Sequence, residues 1–176
     1  MRRDDLDTAG INVPVLATVC AGSLPPPANW APRLERLGLD VITTGARADD
    51  PAGVAQAVAA VPFRPVMGRA GDPSALAAAG ARIVVTDGPV PAGAYAFAPD
   101  EAMVTPISAD GPPEDANDVA RDVLAAARTG RASALWVAAP DLSALPEDVV
   151  EAKLMALTQG TRMARLWLAK QQSDSD

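Results

Sequence analysis

Pro65-Val66-Met67-Gly68-Arg69-Ala70-Gly71-Asp72-Pro73-Ser74-Ala75-Leu76-Ala77-Ala78-Ala79-Gly80-Ala81-Arg82-Ile83-Val84-Val85-Thr86 is the stretch that decides the fold. Pro65–Gly68 reads as a short strand, and Asp72-Pro73 supplies an N-cap followed by proline at the first helical position. Gly80 ends the helix, and the β-branched run Arg82–Thr86 reads as the next strand. Strand, loop, Asp-Pro, helix, glycine, strand is the pattern of a βαβ unit.

The same pattern extends in both directions. Upstream, Val13–Val19 predicts a first strand, stopped by Gly22-Ser23-Leu24 and Pro25-Pro26-Pro27. Trp30, Leu34 and Leu37 share one helical face closed by Gly38, and Leu39–Ile42 predicts a second buried strand. Asp50-Pro51 opens another helix, whose inner face is Val54, Ala57, Val58 and Val61. Downstream, Ala94–Ala98 and Met103–Ser108 are short strands whose pairing the sequence leaves open. Glu114–Arg128 is an amphipathic helix with Ala116, Val119, Ala120, Val123, Leu124 and Ala127 on one face and Gly130 at its end. Ser133–Ala138 predicts the last strand. Pro146-Glu147-Asp148 begins the last helix, with Val150, Leu154, Leu157, Thr161, Ala164 and Leu168 inward. Residues 1–12 read as a polar segment, 13–170 as one α/β domain and 171–176 as a frayed polar tail.

Six or seven strands that are continuous apolar runs want cover on both faces, so the sheet is expected to be mostly parallel. A (β/α) TIM-barrel-like fold trimmed to that number of strands fits, and so does an open doubly wound sheet. In both, ligands meet the loops at the carboxyl ends of the strands.

Composition limits the chemistry. Among 176 residues there is no histidine and one cysteine, Cys20, so an ordinary protein-ligated zinc or Ser-His-Asp site cannot be assembled. A net charge of −7 without a basic stripe disfavours nucleic acid. No apolar run approaches the roughly 20 residues of a membrane span, and the N-terminus lacks the apolar region of a leader. The expectation is a cytoplasmic protein with neither a membrane nor a nucleic-acid partner.

Four segments, in order, resemble the C-terminal catalytic domain of cobalamin-independent methionine synthase. They are Ala21-Gly22-Ser23-Leu24-Pro25; Leu37-Gly38-Leu39-Asp40-Val41-Ile42 with Thr43-Thr44-Gly45; Gly80-Ala81-Arg82-Ile83-Val84-Val85-Thr86-Asp87-Gly88-Pro89; and Leu135-Trp136-Val137-Ala138-Ala139-Pro140-Asp141. The resemblance implies a TIM barrel of the methionine synthase and uroporphyrinogen decarboxylase superfamily. It also implies that Gly22 and Ser23 meet an amino-acid substrate through their backbone and that Asp87 meets its ammonium group. The family's second ammonium-binding carboxylate is replaced by Ala46, and its zinc-binding cysteine after Pro-Asp by Leu142. With no histidine either, the family's zinc site is not retained and no cofactor is expected. The implied reading is a binding or accessory protein for a small amino-acid-like ligand or a partner protein. The alternative is a methyltransferase acting on a thiol, completed by a partner.

Candidate ligand-binding residues are therefore Gly22, Ser23 and Asp87, together with Arg47 and Arg69 in the loops after strands two and three, which suit a carboxylate or phosphate. Against these stand bland readings: turn formers for Gly22, Ser23 and Asp87, and solvated surface arginines for Arg47 and Arg69. Cys20 reads as a small buried hydrophobe. Asp110, Glu114 and Asp115 read as a helix start, and Trp30, Trp136 and Trp167 as core anchors.

Overall fold

The computed structural model describes residues 10–11, 13–26, 29–86, 88–89, 91–97, 102–129 and 135–173. Its strands are β1 (Thr18–Cys20), β2 (Met67–Gly68), β3 (Ile83–Val85), β4 (Tyr95–Phe97), β5 (Met103–Val104) and β6 (Trp136–Ala139). The helices are α1 (Trp30–Leu37), α2 (Pro51–Ala60), α3 (Pro73–Ala78), α4 (Ala116–Thr129) and α5 (Glu147–Ser173).

Every pairing between the described strands is parallel. One sheet has the order β1-β6-β5 and the other β2-β3-β4. The Val41–Ile42 segment links them, with parallel bridges from Val41 to Val19 and from Ile42 to Val66. The result is one continuous arc running from β5 to β4. Among the described residues its two end strands do not pair with each other. The pairing that the sequence left open is thus parallel for both segments, β4 on β3 and β5 on β6.

Alternation along the strands divides the core in two. Val19, Val41, Met67, Ile83, Phe97, Trp136 and Ala138 point to one side, where Ile11, Val13 and Ala17 join them. Cys20, Ile42, Val66, Val84, Val137 and Ala139 point to the other, against helical residues such as Trp30, Leu34, Val54, Leu76, Val123 and Leu157. The first cluster contains strand and loop residues but no helical ones. On the inner side, Phe97 meets Trp136 edge-on at 5.1 Å between ring centroids.

The caps follow the sequence. The Asp50 side chain accepts from Gly53 N–H at 2.6 Å and that of Asp72 from Ser74 N–H at 3.1 Å. Gly38 closes α1 in the left-handed conformation at φ 86°, which glycine adopts without steric cost. The strands, however, are shorter than predicted. Val13–Val19 does not run straight: Val15 and Leu16 form a turn, with Leu16 at φ 59°, and pairing begins at Thr18. Their carbonyls accept hydrogen bonds from Arg165 at 2.9 and 2.8 Å, and Arg165 also pairs with buried Asp40. Leu39–Ile42 contributes only its last two residues to pairing. Two further corrections concern α5. Gln171 to Ser173 are helical, and Trp167, predicted as an anchor, is 57% exposed beyond the last fully buried position, Ala164. Gly130, Ser133 and Ala98 lie outside the described residues.

The helix expected from Glu114 begins at Ala116, and Glu114 is used otherwise. It precedes α4 and receives the ammonium of Lys153, whose side chain is fully buried, at 2.9 Å. Partial burial pushes the Glu114 carboxyl up, but hydrogen bonds from Ser108 N–H, Lys153 and the Ser108 hydroxyl outweigh this and hold it below its usual range. The described helices include none long and apolar enough to cross a membrane.

Helices α4 and α5 pack closely because Gly160 has no side chain. A Cβ there would lie 2.5 Å from Val119 Cγ1 and 2.6 Å from the Ala116 carbonyl oxygen. Gly160→Ala should raise local helix propensity by about 1 kcal/mol yet lower overall stability by about 1–3 kcal/mol through overpacking. Urea denaturation measures the difference, and an unchanged or raised midpoint would contradict this packing.

Candidate functional site

Parallel strands deliver their following loops to one end of the arc. Ala21, Gly22 and Ser23 follow β1, Arg47 follows the Val41–Ile42 segment, Arg69 and Ala70 follow β2, and Asp141 follows β6. These residues line a cleft of about 340 Å³, together with Met67, Val85, Phe97 and Met103. Of the five residues singled out from sequence, the structure brings Gly22, Ser23, Arg47 and Arg69 to this one cleft. Asp87 lies outside the described residues.

Gly22 is fixed by close approach. A Cβ on it would come within 2.1 Å of the Asp141 backbone nitrogen and 2.2 Å of the Pro140 carbonyl carbon. Its own N–H donates to the Ala139 carbonyl at 3.2 Å, as does that of Ala21 at 3.1 Å. Ser23 completes the junction by accepting from Leu142 N–H at 2.9 Å. The Gly22 N–H is thus committed to Ala139 at the end of β6.

Arg69 departs further from the sequence reading. It is only 6% exposed, not a solvated surface cation. One terminal nitrogen donates to the carbonyls of Ala21 at 2.8 Å and Gly22 at 2.6 Å, with a longer contact to Cys20 O at 3.5 Å. The other donates to the Ala46 carbonyl. Its backbone N–H donates to the Asp49 carboxylate at 2.5 Å, and Asp49 N–H returns a bond to the Arg69 carbonyl at 2.9 Å. One side chain thereby ties together three loops of the cleft. Its Nε remains buried without an acceptor. Arg47 is exposed at the rim.

Asp141 is the cleft's described carboxylate, and the sequence reading had not singled it out as a binding residue. The Ser143 hydroxyl and N–H, at 2.6 and 2.9 Å, hold its carboxyl below the ordinary range; slight desolvation opposes them, and Arg47 and Arg69 add to the lowering. The signal available in sequence was Asp141-Leu142-Ser143, an Asx-turn spacing that keeps a carboxylate ionised at a loop start.

A zinc of the kind the resemblance implies does not fit these residues. Leu142 is fully buried in the core and offers no donor. Cys20 is also fully buried, and its thiol lies 3.4 Å from the Gly22 carbonyl oxygen. Burial pushes that thiol up to about 12, against a smaller lowering by Arg69. Among the described residues no three His, Cys, Asp or Glu side chains converge as a metal site.

No protein-family model matches the chain, and no curated protein is similar to it. One solved structure that it resembles is a B12-independent methionine synthase from Shewanella sp. W3-18-1 in complex with selenomethionine. The TM-score is 0.34 at 18% identity, the match covers 80% of this chain, and the chain spans 55% of that one. At those values the likeness is distant and establishes no activity.

The Cys20 environment has two measurable consequences. Iodoacetamide at pH 8 should leave Cys20 unmodified in the native protein and alkylate it rapidly in urea, because the thiolate is the nucleophile. The folded thiol also keeps its proton above the unfolded value of 9.0, up to about 12. Its contribution to stability is therefore complete below pH 9 and is lost as pH rises from there towards 12. Rapid native alkylation followed by mass spectrometry would contradict both.

Proposed function

We propose that this chain is a binding protein for a small amino-acid-like ligand, built on a methionine-synthase-like, barrel-like scaffold and working without the family's zinc. Helical cover on one side of the arc and a strand-lined interior on the other support a barrel over a doubly wound sheet, which carries helices on both faces. The observation that carries the functional reading is the cleft itself. Arg47, Arg69 and Asp141 bring charges of both signs into it, and Met67, Val85, Phe97 and Met103 add apolar lining.

A zwitterion with an apolar side chain matches that arrangement: cationic groups for its acid, a carboxylate for its ammonium and apolar surface for the remainder. Asp141 takes the ammonium, because Ser143 keeps it charged. Asp87, two residues past the end of β3, is assigned a share of that role on its sequence motif alone. Gly22 and Ser23 shape the wall through the junction with the β6 loop.

Titration calorimetry with L-methionine as the probe tests this reading. Saturable binding is expected, and Asp141→Asn should weaken it about tenfold or more, the worth of a charge-assisted hydrogen bond. Purified protein should carry far less than one zinc per chain by elemental analysis. Absence of amino-acid binding, or stoichiometric zinc lost together with homocysteine binding on chelation, would overturn it.

A further inference from the structure

We infer that the cleft recognises a carboxylate as the counter-ion of Arg69, and that it selects monoanionic carboxylic acids over phosphate. This rests on the reading of the cleft as a ligand site.

Arg69 is a buried cation whose polar partners are carbonyl oxygens. Carbonyls satisfy its hydrogen bonds but do not neutralise its charge, and burying a guanidinium is costly when no carboxylate bonds to it directly; Asp141 acts on it only at longer range. Among the described residues no carboxylate lies within ion-pair distance of it. Its Nε is buried without an acceptor, and the residue lines the cleft. Arg47 adds a second guanidinium at the rim of the same cleft.

The neighbouring groups narrow the ligand class. Ala21 and Gly22 spend their N–H groups on the Ala139 carbonyl. The cationic donors that line the cleft are the side chains of Arg47 and Arg69, whose planar geometry suits a carboxylate. A phosphate dianion would bring its second charge against Asp141, which lines the cleft, and Asp49, whose carboxylate is bonded to the Arg69 backbone. A single negative charge meets less of that repulsion than two.

Binding of hexanoate, hexanamide and inorganic phosphate to the full chain, followed by calorimetry, tests the inference. Hexanoate should bind, with hexanamide and phosphate each at least about tenfold weaker. Arg47→Gln, an exposed change that should leave the fold intact, should cost hexanoate about tenfold and leave hexanamide unchanged. Arg69→Lys, where circular dichroism shows it folded, should weaken hexanoate further. Failure of hexanoate to bind, equal affinity for hexanamide, tighter phosphate, or no effect of Arg47→Gln would each overturn the inference. L-methionine and L-methioninol separate it from the broader reading. Equal binding of the two overturns the carboxylate assignment and leaves the ligand site standing, whereas binding of neither overturns the amino-acid reading.

Discussion

Alternate side chains of β1, β3, β6 and the Val41–Ile42 segment must be buried in two different places, and the rest of the molecule is arranged around that requirement. Val19 and Cys20, neighbours in sequence, belong to different apolar clusters, as do Val41 and Ile42, Val66 and Met67, and Val137 and Ala138. The helices cover one side. The other side is closed by the strands' own side chains together with Ile11, Val13 and Ala17 from the N-terminal approach. With every connection returning through a helix or loop to a parallel strand, the loops that leave the strands collect at one end. The cleft is a consequence of this topology, before any residue in it is considered.

What turns that end into a site is how tightly its loops are held. Gly22 lets the β1 loop lie against the backbone of Pro140 and Asp141. Arg69 then binds the carbonyls of the β1 loop and of Ala46, while Asp49 holds the Arg69 backbone in place. A buried guanidinium used as a strut is an expensive device compared with an apolar plug. It leaves the loops fixed and the cleft positively charged at depth, with Asp141 as an ionised counterweight. Leu142 occupies the core beneath the same loop, so that loop contributes packing as well as the cleft's carboxylate.

Much of this was legible in the sequence where the cause is local. The Asp50 and Asp72 caps and the closure at Gly38 depend on a few consecutive residues, and each is found where the pattern puts it. So are the inner faces of α1 and α4. Strand length was not legible, because it is set by partners far away. Arg165 pulls the Val15 and Leu16 carbonyls into a turn from 149 or more positions along the chain. The buried cations were missed for a related reason. A single long basic side chain reads as solvated surface, and only the fold reveals that Arg69 and Lys153 are enclosed. Trp167 failed in the opposite sense: helical spacing places it inward, but the core ends before it. Asp141 was readable as the start of an Asx turn, though its place in one cleft with two arginines was not.

The central claim is that the end where these loops meet is where a ligand binds. Backbone amide chemical shifts recorded while L-methionine is titrated into isotopically labelled protein test it most directly. The account predicts shifts concentrated at Ala21 to Ser23, Arg47, Arg69 and Asp141. Saturable shifts centred instead on Gly10, Phe63 and Arg64, which line a separate pocket of about 270 Å³, would contradict it.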